Sequence, residues 1–243
     1  HVFGNAAWLD DIIPLCKERN IVVVEDATES LGTCYTSGEF YGKHTGTIGK
    51  LGCLSFNGNK IITTGGGGMI LTDDGRLAEK ARYLTTQAKD DAVRYLHDEI
   101  GYNFRLTNIQ AALGVAQLEQ LPRFLKCKRE IHEKYVIGVK DVSGLFIAPV
   151  PDYADNNYWL NILRIAPEVY GRNRESLMAD LNEQGIESRP VWYPNHRQRP
   201  YRNCQNYEIE KALVLVENTL VLPSSIRLDD SQIEIVTKHL NNS

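Results

Sequence analysis

Residues 21–24 read Ile-Val-Val-Val, a continuous β-branched run. Such a run suits a strand buried on both faces, as in a parallel sheet covered by helices, because neither face then has to meet water. The segment before it, residues 10–19, places apolar and charged residues at helical spacing. Asp10 or Asp11 is the expected cap, and Pro14 is tolerable only near the first turn. A helix feeding a buried strand is half of an α/β unit. Further strands are expected at residues 51–56 and 68–72, the second ending in the Asp73-Asp74-Gly75 turn. Helices are expected over residues 76–86 and 107–121. Thr107 and Gln110 have capping-box spacing, and Ile109, Ala112, Leu113 and Ala116 share one face. Pro122 breaks or restarts that helix, and a second one runs to about residue 139.

The pattern changes from Gly144, with Pro149 and Pro151 marking a linker. Strands at residues 158–165, 187–192 and 219–222 then alternate with helices at 174–184, 208–218 and 230–240, which makes a small α+β domain. The expected division is 1–122 for a large domain and 123–243 for a linking helix with the small domain. A net charge of -4 argues against a nucleic-acid surface. No apolar stretch is long enough to span a bilayer, and no signal-peptide pattern opens the sequence. The five cysteines, Cys16, Cys34, Cys53, Cys127 and Cys204, form no C-x-x-C pair. They are expected to be reduced, buried and structural, as in a cytoplasmic protein.

Lys60 stands out chemically. It follows Ser55-Phe56-Asn57-Gly58-Asn59 and precedes Ile61-Ile62-Thr63-Thr64 and four glycines, Gly65 to Gly68. Most lysines are solvated surface residues. Here Leu54, Phe56, Ile61 and Ile62 imply a buried neighbourhood, which lowers an amine's pKa and makes it a better nucleophile. Four glycines weaken any regular element, so the run is either a flexible turn or a site of unusual dihedrals or close approach. Neither a P-loop nor a G-x-G-x-x-G fingerprint is present. Glu25-Asp26 ends the first strand, where ligands gather in open α/β sheets, and an acid there is either a cap or a functional group. The six histidines form no metal-ligand pair, and no metal is expected. Tyr158-Trp159 and Trp192-Tyr193 read as core packing.

Four separate motifs carry a family resemblance. Glu25-Asp26-Ala27-Thr28-Glu29-Ser30-Leu31-Gly32, Ser55 to Lys60, Thr64 to Gly68, and Gly101 to Arg105 with Gln110-Ala-Ala and Gln117-Leu118 resemble the DegT/DnrJ/EryC1/StrS aminotransferases. The likeness is strong over residues 1–130 and weaker through Glu187 to Trp192 and Leu222-Pro223. It implies an α/β chain of the fold-type I aminotransferase architecture: part of a large domain with a mainly parallel sheet that binds pyridoxal 5'-phosphate, plus the small C-terminal α+β domain. Lys60 would be the Schiff-base lysine and then the acid and base of proton transfer. Asp26 would pair with the pyridine nitrogen, because a carboxylate favours its protonated, electron-withdrawing form. Ser55 would donate to the cofactor phosphate. Asn103 would reach the phosphate in a neighbouring subunit, which requires a homodimer.

The implied substrate is a nucleotide-linked keto sugar aminated at C4, with glutamate as the amino donor in a ping-pong cycle. The nearest branch handles UDP-linked 4-keto-6-deoxy sugars on the way to bacillosamine or legionaminic acid. Arg189, Tyr193 and His196 could face the sugar. Two departures stand out. Glu29 occupies a position where relatives often carry Gln or His to donate to the cofactor's phenolic oxygen, and an ionised carboxylate only accepts. Glu29 is therefore protonated, points elsewhere, or serves differently in this branch. Complete members also carry an N-terminal segment, with a phosphate loop and a stacking aromatic, ahead of the position matching His1. Two other readings compete: a pyridoxal-dependent sugar dehydratase, in which histidine replaces the lysine, and a catalytically silent binding module, for which exposed apolar surface is expected.

Overall fold

The computed structural model describes residues 1–241. In chain order the elements are α1 (Leu9–Glu18), β1 (Val24–Asp26), β2 (Cys34–Tyr35), β3 (Leu51–Ser55), β4 (Gly68–Leu71), α2 (Gly75–Thr85), α3 (Asn108–Glu119) and α4 (Leu121–Val139). There follow β5 (Leu145–Ile147), β6 (Ala154–Asp155), β7 (Asn161–Ile165), α5 (Pro167–Tyr170), α6 (Arg174–Glu183), β8 (Arg189–Pro190), α7 (Lys211–Glu217), β9 (Thr219–Leu222) and α8 (Asp230–Asn241). The chain forms two units. One comprises residues 1–126 and 150–159, the other residues 127–149 and 160–241, so the division falls inside α4. Residues 150–159, expected in the small domain, return to the first unit.

The first unit holds a three-stranded sheet in the order β1-β3-β4. β1 runs parallel to β3 with Asp26 opposite Cys53, and β3 runs antiparallel to β4 with Ser55 opposite Gly68. This register collects the turn after Asp26, the loop after Ser55 and the glycine run at one end of the sheet. A second ladder, β2 with β6, ties residues 34–35 to 154–155.

Three sequence expectations are corrected in this unit. The Ile-Val-Val-Val run is not a strand buried on both faces: Ile21, Val22 and Val24 are exposed, and β1 begins only at Val24. The Ile21 N–H closes the end of α1 on the Cys16 carbonyl, which removes it from the ladder. Among the described residues β1 is an edge strand, paired only with β3. Pro14 lies inside α1 rather than in its first turn, and neither Asp10 nor Asp11 caps that helix. Asp10 Oδ2 accepts the Glu39 N–H instead, at 2.8 Å. By contrast, α3 has the expected capping box; none of its residues is buried, and Ile109 is 84% exposed.

The buried position of β1 is Glu25, 3% exposed. Its Oε1 accepts from the backbone N–H groups of Ile48 (2.6 Å) and Gly49 (2.5 Å), and its Oε2 from that of Gly46 (2.8 Å). His1 Nε2 lies 3.0 Å from Oε2, while His1 Nδ1 accepts from the Ala7 N–H at 3.1 Å. The accepting Nδ1 requires the proton on Nε2, which therefore donates to Glu25. One carboxylate thus organises the loop that leads into β3 and fixes the strand end from which Asp26 emerges.

The second unit is a four-stranded antiparallel sheet, β5-β7-β9-β8, packed on helices through Tyr135, Leu163, Leu177, Leu181, Leu220 and Leu240. β7 starts at Asn161 rather than at residue 158, because Tyr158 sits at φ 49°, outside the extended region. Trp192 and Tyr193 are exposed rather than core residues. The cysteines are free, but Cys204 is exposed and the other four are partly exposed, so none has the buried setting expected.

Glu25→Gln replaces an acceptor oxygen with an N–H₂ group facing backbone donors. It should lower stability by about 2–4 kcal/mol, read as a lower urea midpoint at unchanged slope.

Candidate functional site

The loop carrying Lys60 is closed at its neck by Phe56. The Phe56 N–H donates to the Gly67 carbonyl (3.0 Å), and its carbonyl accepts from Thr64 N–H (3.0 Å) and Thr63 Oγ1 (3.1 Å). Gly67 makes this possible: it sits at φ 88°, and a Cβ there would come within 2.5 Å of Leu106. The glycine run is thus a closed turn with a positive φ and a close approach. Phe56, Ile61 and Ile62 are buried, and the Lys60 side chain is 14% exposed.

Glu29, Ser55 and Lys60 line one narrow recess together with Asn157 and Trp159. With about 10 Å³ of free space, it houses the lysine side chain rather than a ligand. The Lys60 ammonium lies 3.9 Å from Glu29 Oε1 and 4.1 Å from the centre of a Trp159 ring. Burial lowers the amine's pKa below the ordinary lysine value, and the nearby carboxylates of Glu29 and Asp26 oppose that shift. Glu29 is directed at the lysine, and its other oxygen accepts the Phe3 N–H at 2.7 Å.

Asp26 is exposed beside the recess without lining it. Its Oδ1 accepts from the Thr28 hydroxyl (2.6 Å) and the Thr28 N–H (3.1 Å). That hydroxyl, with smaller help from the backbone and Lys60, holds its carboxyl below the usual range, so it is ionised at neutral pH. The cap and functional readings of Asp26 are therefore compatible. Ser55 Oγ accepts the Asn57 N–H at 3.3 Å, which leaves its hydroxyl proton for another acceptor. Asn103 is exposed at a bridge with Thr86, next in sequence to Tyr102 and Phe104, whose rings stack on each other, and does not line the recess. Arg189 belongs to the second unit, where it pairs with Glu187 at the surface; Tyr193 and His196 lie in the same unit.

Sequence reasoning missed two contributors. Trp159 was expected in a strand as core packing; it is buried, and its ring face carries the Lys60 ammonium. Asn157 is 1% exposed and fully bonded. Its Nδ2 donates to the carbonyls of Glu29 (2.9 Å) and Leu31 (3.0 Å), and its Oδ1 accepts the Trp159 N–H (3.0 Å). No motif or spacing in the sequence marks either residue, but the backbone does, at Phe3 and Tyr158. Both occupy the left-handed region, at φ 56° and 49°, and such backbone strain gathers at functional sites.

A wider depression of about 630 Å³ lies at the opposite end of β3, lined by Lys50, Asp73, Asp74 and Arg76. Asp74 is occupied there: it pairs with Lys50 at 2.6 Å, lies 3.7 Å from Arg76 and caps α2. Lys128, in the second unit, is another buried amine, pushed down to about 8 by burial, but its amine is bound to the Ser224 carbonyl. A lowered amine alone is therefore not diagnostic. Lys60 is distinguished by adjoining carboxylates at a strand end and by an exposed acid beside it. An ionised Asp26 for a pyridinium, an amine for a carbonyl and a hydroxyl for a phosphate form a donor set that fits pyridoxal phosphate.

The DegT/DnrJ/EryC1/StrS aminotransferase family matches residues 1–241. EpsN of Bacillus subtilis (strain 168) is 42% identical over 236 residues, covering 96% of this chain and 59% of its own length. The GDP-perosamine synthase of Caulobacter vibrioides is 35% identical over 242 residues, covering 99% of this chain and 64% of its own. This chain thus spans about three fifths of these relatives. The crystal structure of DesI in the presence of its TDP-sugar product superposes on 100% of this chain and 60% of its own, with a TM-score of 0.90 at 25% identity. The chain belongs to the DegT/DnrJ/EryC1/StrS aminotransferase family.

Proposed function

We propose that the protein is a cytoplasmic, homodimeric, pyridoxal phosphate-dependent enzyme that moves an amino group from glutamate to the C4 keto carbon of a nucleotide-linked deoxy sugar. The observation that carries this is Lys60: an amine with a lowered pKa, held between Glu29 and Trp159 beside the ionised Asp26. The names of the relatives support a nucleotide-sugar substrate, since one is a GDP-perosamine synthase and DesI has a TDP-sugar product. The C4 position and the glutamate donor rest on the motif resemblance.

Pyridoxal phosphate, when bound, supplies a carbonyl for imine chemistry and a ring that draws electrons from the substrate carbon. Lys60 provides the nucleophilic amine and, once released, carries the proton to and from that carbon. Its lowered pKa keeps a larger neutral fraction available near neutral pH than an ordinary lysine has. Asp26 stays ionised and favours protonation of a ring nitrogen. Ser55 has a hydroxyl proton to give a phosphate, and Asn103 an exposed amide to offer across a subunit boundary.

The dimer is supported by surface chemistry around Asn103. Ile100, Phe104 and Ile109 are 82%, 70% and 84% exposed, and Tyr102, Leu113, Val115 and Leu118 are exposed with them. So many exposed apolar side chains in one stretch support an interaction site. A silent binding module would draw on the same surface, and catalysis separates the two readings. The dehydratase reading is disfavoured by lysine, not histidine, at position 60.

The protein with pyridoxal phosphate and glutamate should aminate 4-keto deoxy-sugar nucleotides. Lys60→Ala should lower turnover by at least about a thousandfold. Activity restricted to 3-keto sugars would overturn the C4 assignment, and no turnover on any keto-sugar nucleotide would favour the silent reading. Light scattering should give twice the chain mass, and Phe104→Asp should shift it toward the monomer. A wild-type monomer would remove Asn103 from the site.

A further inference from the structure

The geometry points to Trp159 as the positioning residue for Lys60: its ring face seats the free ammonium while its Nε1–H holds the backbone immediately before the lysine. The role rests on the aminotransferase reading above; the contact itself does not. Nζ lies 4.1 Å from a Trp159 ring centroid, well inside the roughly 6 Å over which a cation is attracted to an aromatic face. Trp159 is 3% exposed, so water competes weakly for that face.

The ring is held in place from several directions. Its Nε1–H donates to the Asn59 carbonyl at 2.7 Å, one residue before the lysine. Its backbone N–H donates to Asn157 Oδ1 at 3.0 Å. The preceding Tyr158 is kept at φ 49° by its N–H bond to Asn156 Oδ1, at 2.6 Å. A bulky residue keeps such a dihedral only where its surroundings over-determine it. The ring therefore forms a fixed platform tied to the loop that carries its cation.

The charged groups acting on the Lys60 amine are Glu29, at 3.9 Å, and Asp26. A carboxylate can attract the ammonium and also take its proton. A π face attracts the ammonium and is far too weak a base to take the proton. In the reaction proposed above, Lys60 would give up its bond to the cofactor carbonyl carbon, hold or pass a proton, and re-form that bond from the same place. Seating on Trp159 returns the amine to one place without adding a base beside it. A ring that served only as packing would leave the titration of Lys60 unchanged.

The test is the pH dependence of acylation of Lys60 by acetic anhydride in cofactor-free protein, read by mass spectrometry of the Lys60 peptide. Trp159→Leu should lower the apparent pKa of Lys60 by roughly half to one unit. Trp159→Phe should lower it less, because it keeps a π face. Fluorinated tryptophan in place of the three native ones retains shape and Nε1–H while weakening the face, so it reads the contact even if Trp159→Leu does not fold. The pKa should fall stepwise with fluorine number. In loaded enzyme, kcat of Trp159→Leu should drop about tenfold with the sugar KM within twofold, as expected when an interaction outside ground-state binding is lost. A Lys60 pKa that is the same in wild type, Trp159→Leu and fluorinated protein overturns the proposal, whatever the enzyme's activity. Shifted pKa values in a protein that transfers no amino group would retain the contact and sink the aminotransferase reading instead.

Discussion

Asn157 is the joint on which the site depends. It lies about 130 residues from the turn it holds, and every polar group of its side chain is spent. Two N–H bonds fix the Glu29 and Leu31 carbonyls, and its oxygen fixes Trp159. Its own backbone N–H donates to Thr33 Oγ1, whose hydroxyl donates to the Gly4 carbonyl. The amide thus places a carboxylate and an aromatic face on the same lysine. Buried amides are costly when half satisfied and specifying when complete. The Glu25 carboxylate does the corresponding work one step back, setting the loop into β3 and the strand end at Asp26.

What was legible in the sequence was chemistry carried by short motifs and local rules. Lys60 and Asp26 stood out by residue type beside strand ends, Ser55, Glu29 and Asn103 only through the motif resemblance, and the Thr107–Gln110 capping box follows from spacing alone. What was hidden depends on distant pairs. Asn157 and Trp159 have no periodicity that marks them, and the buried role of Glu25 emerges only when residues 46–49 fold over it. The Ile-Val-Val-Val run misled because burial is decided by neighbours: composition suited a covered strand, whereas the described chain gives that segment one partner strand and an exposed face.

The same logic applies to α3, whose apolar residues were expected only to share one face. Its cap and its length obey local rules, while the burial of its surface depends on contacts that no local rule sets. Asn103 sits within that exposed apolar stretch, flanked by Tyr102 and Phe104. A residue proposed to complete another subunit's site thus lies in a stretch with exposed apolar side chains that could meet one.

The central claim is that Lys60 is the amine that bonds the cofactor, and Lys128, buried with a lowered pKa of its own, is the natural control. The direct measurement is borohydride reduction of the protein with pyridoxal phosphate, followed by mass spectrometry of its peptides. The account predicts one pyridoxyl group per chain, on Lys60. A pyridoxyl group on Lys128 or on surface lysines with Lys60 unmodified would contradict it.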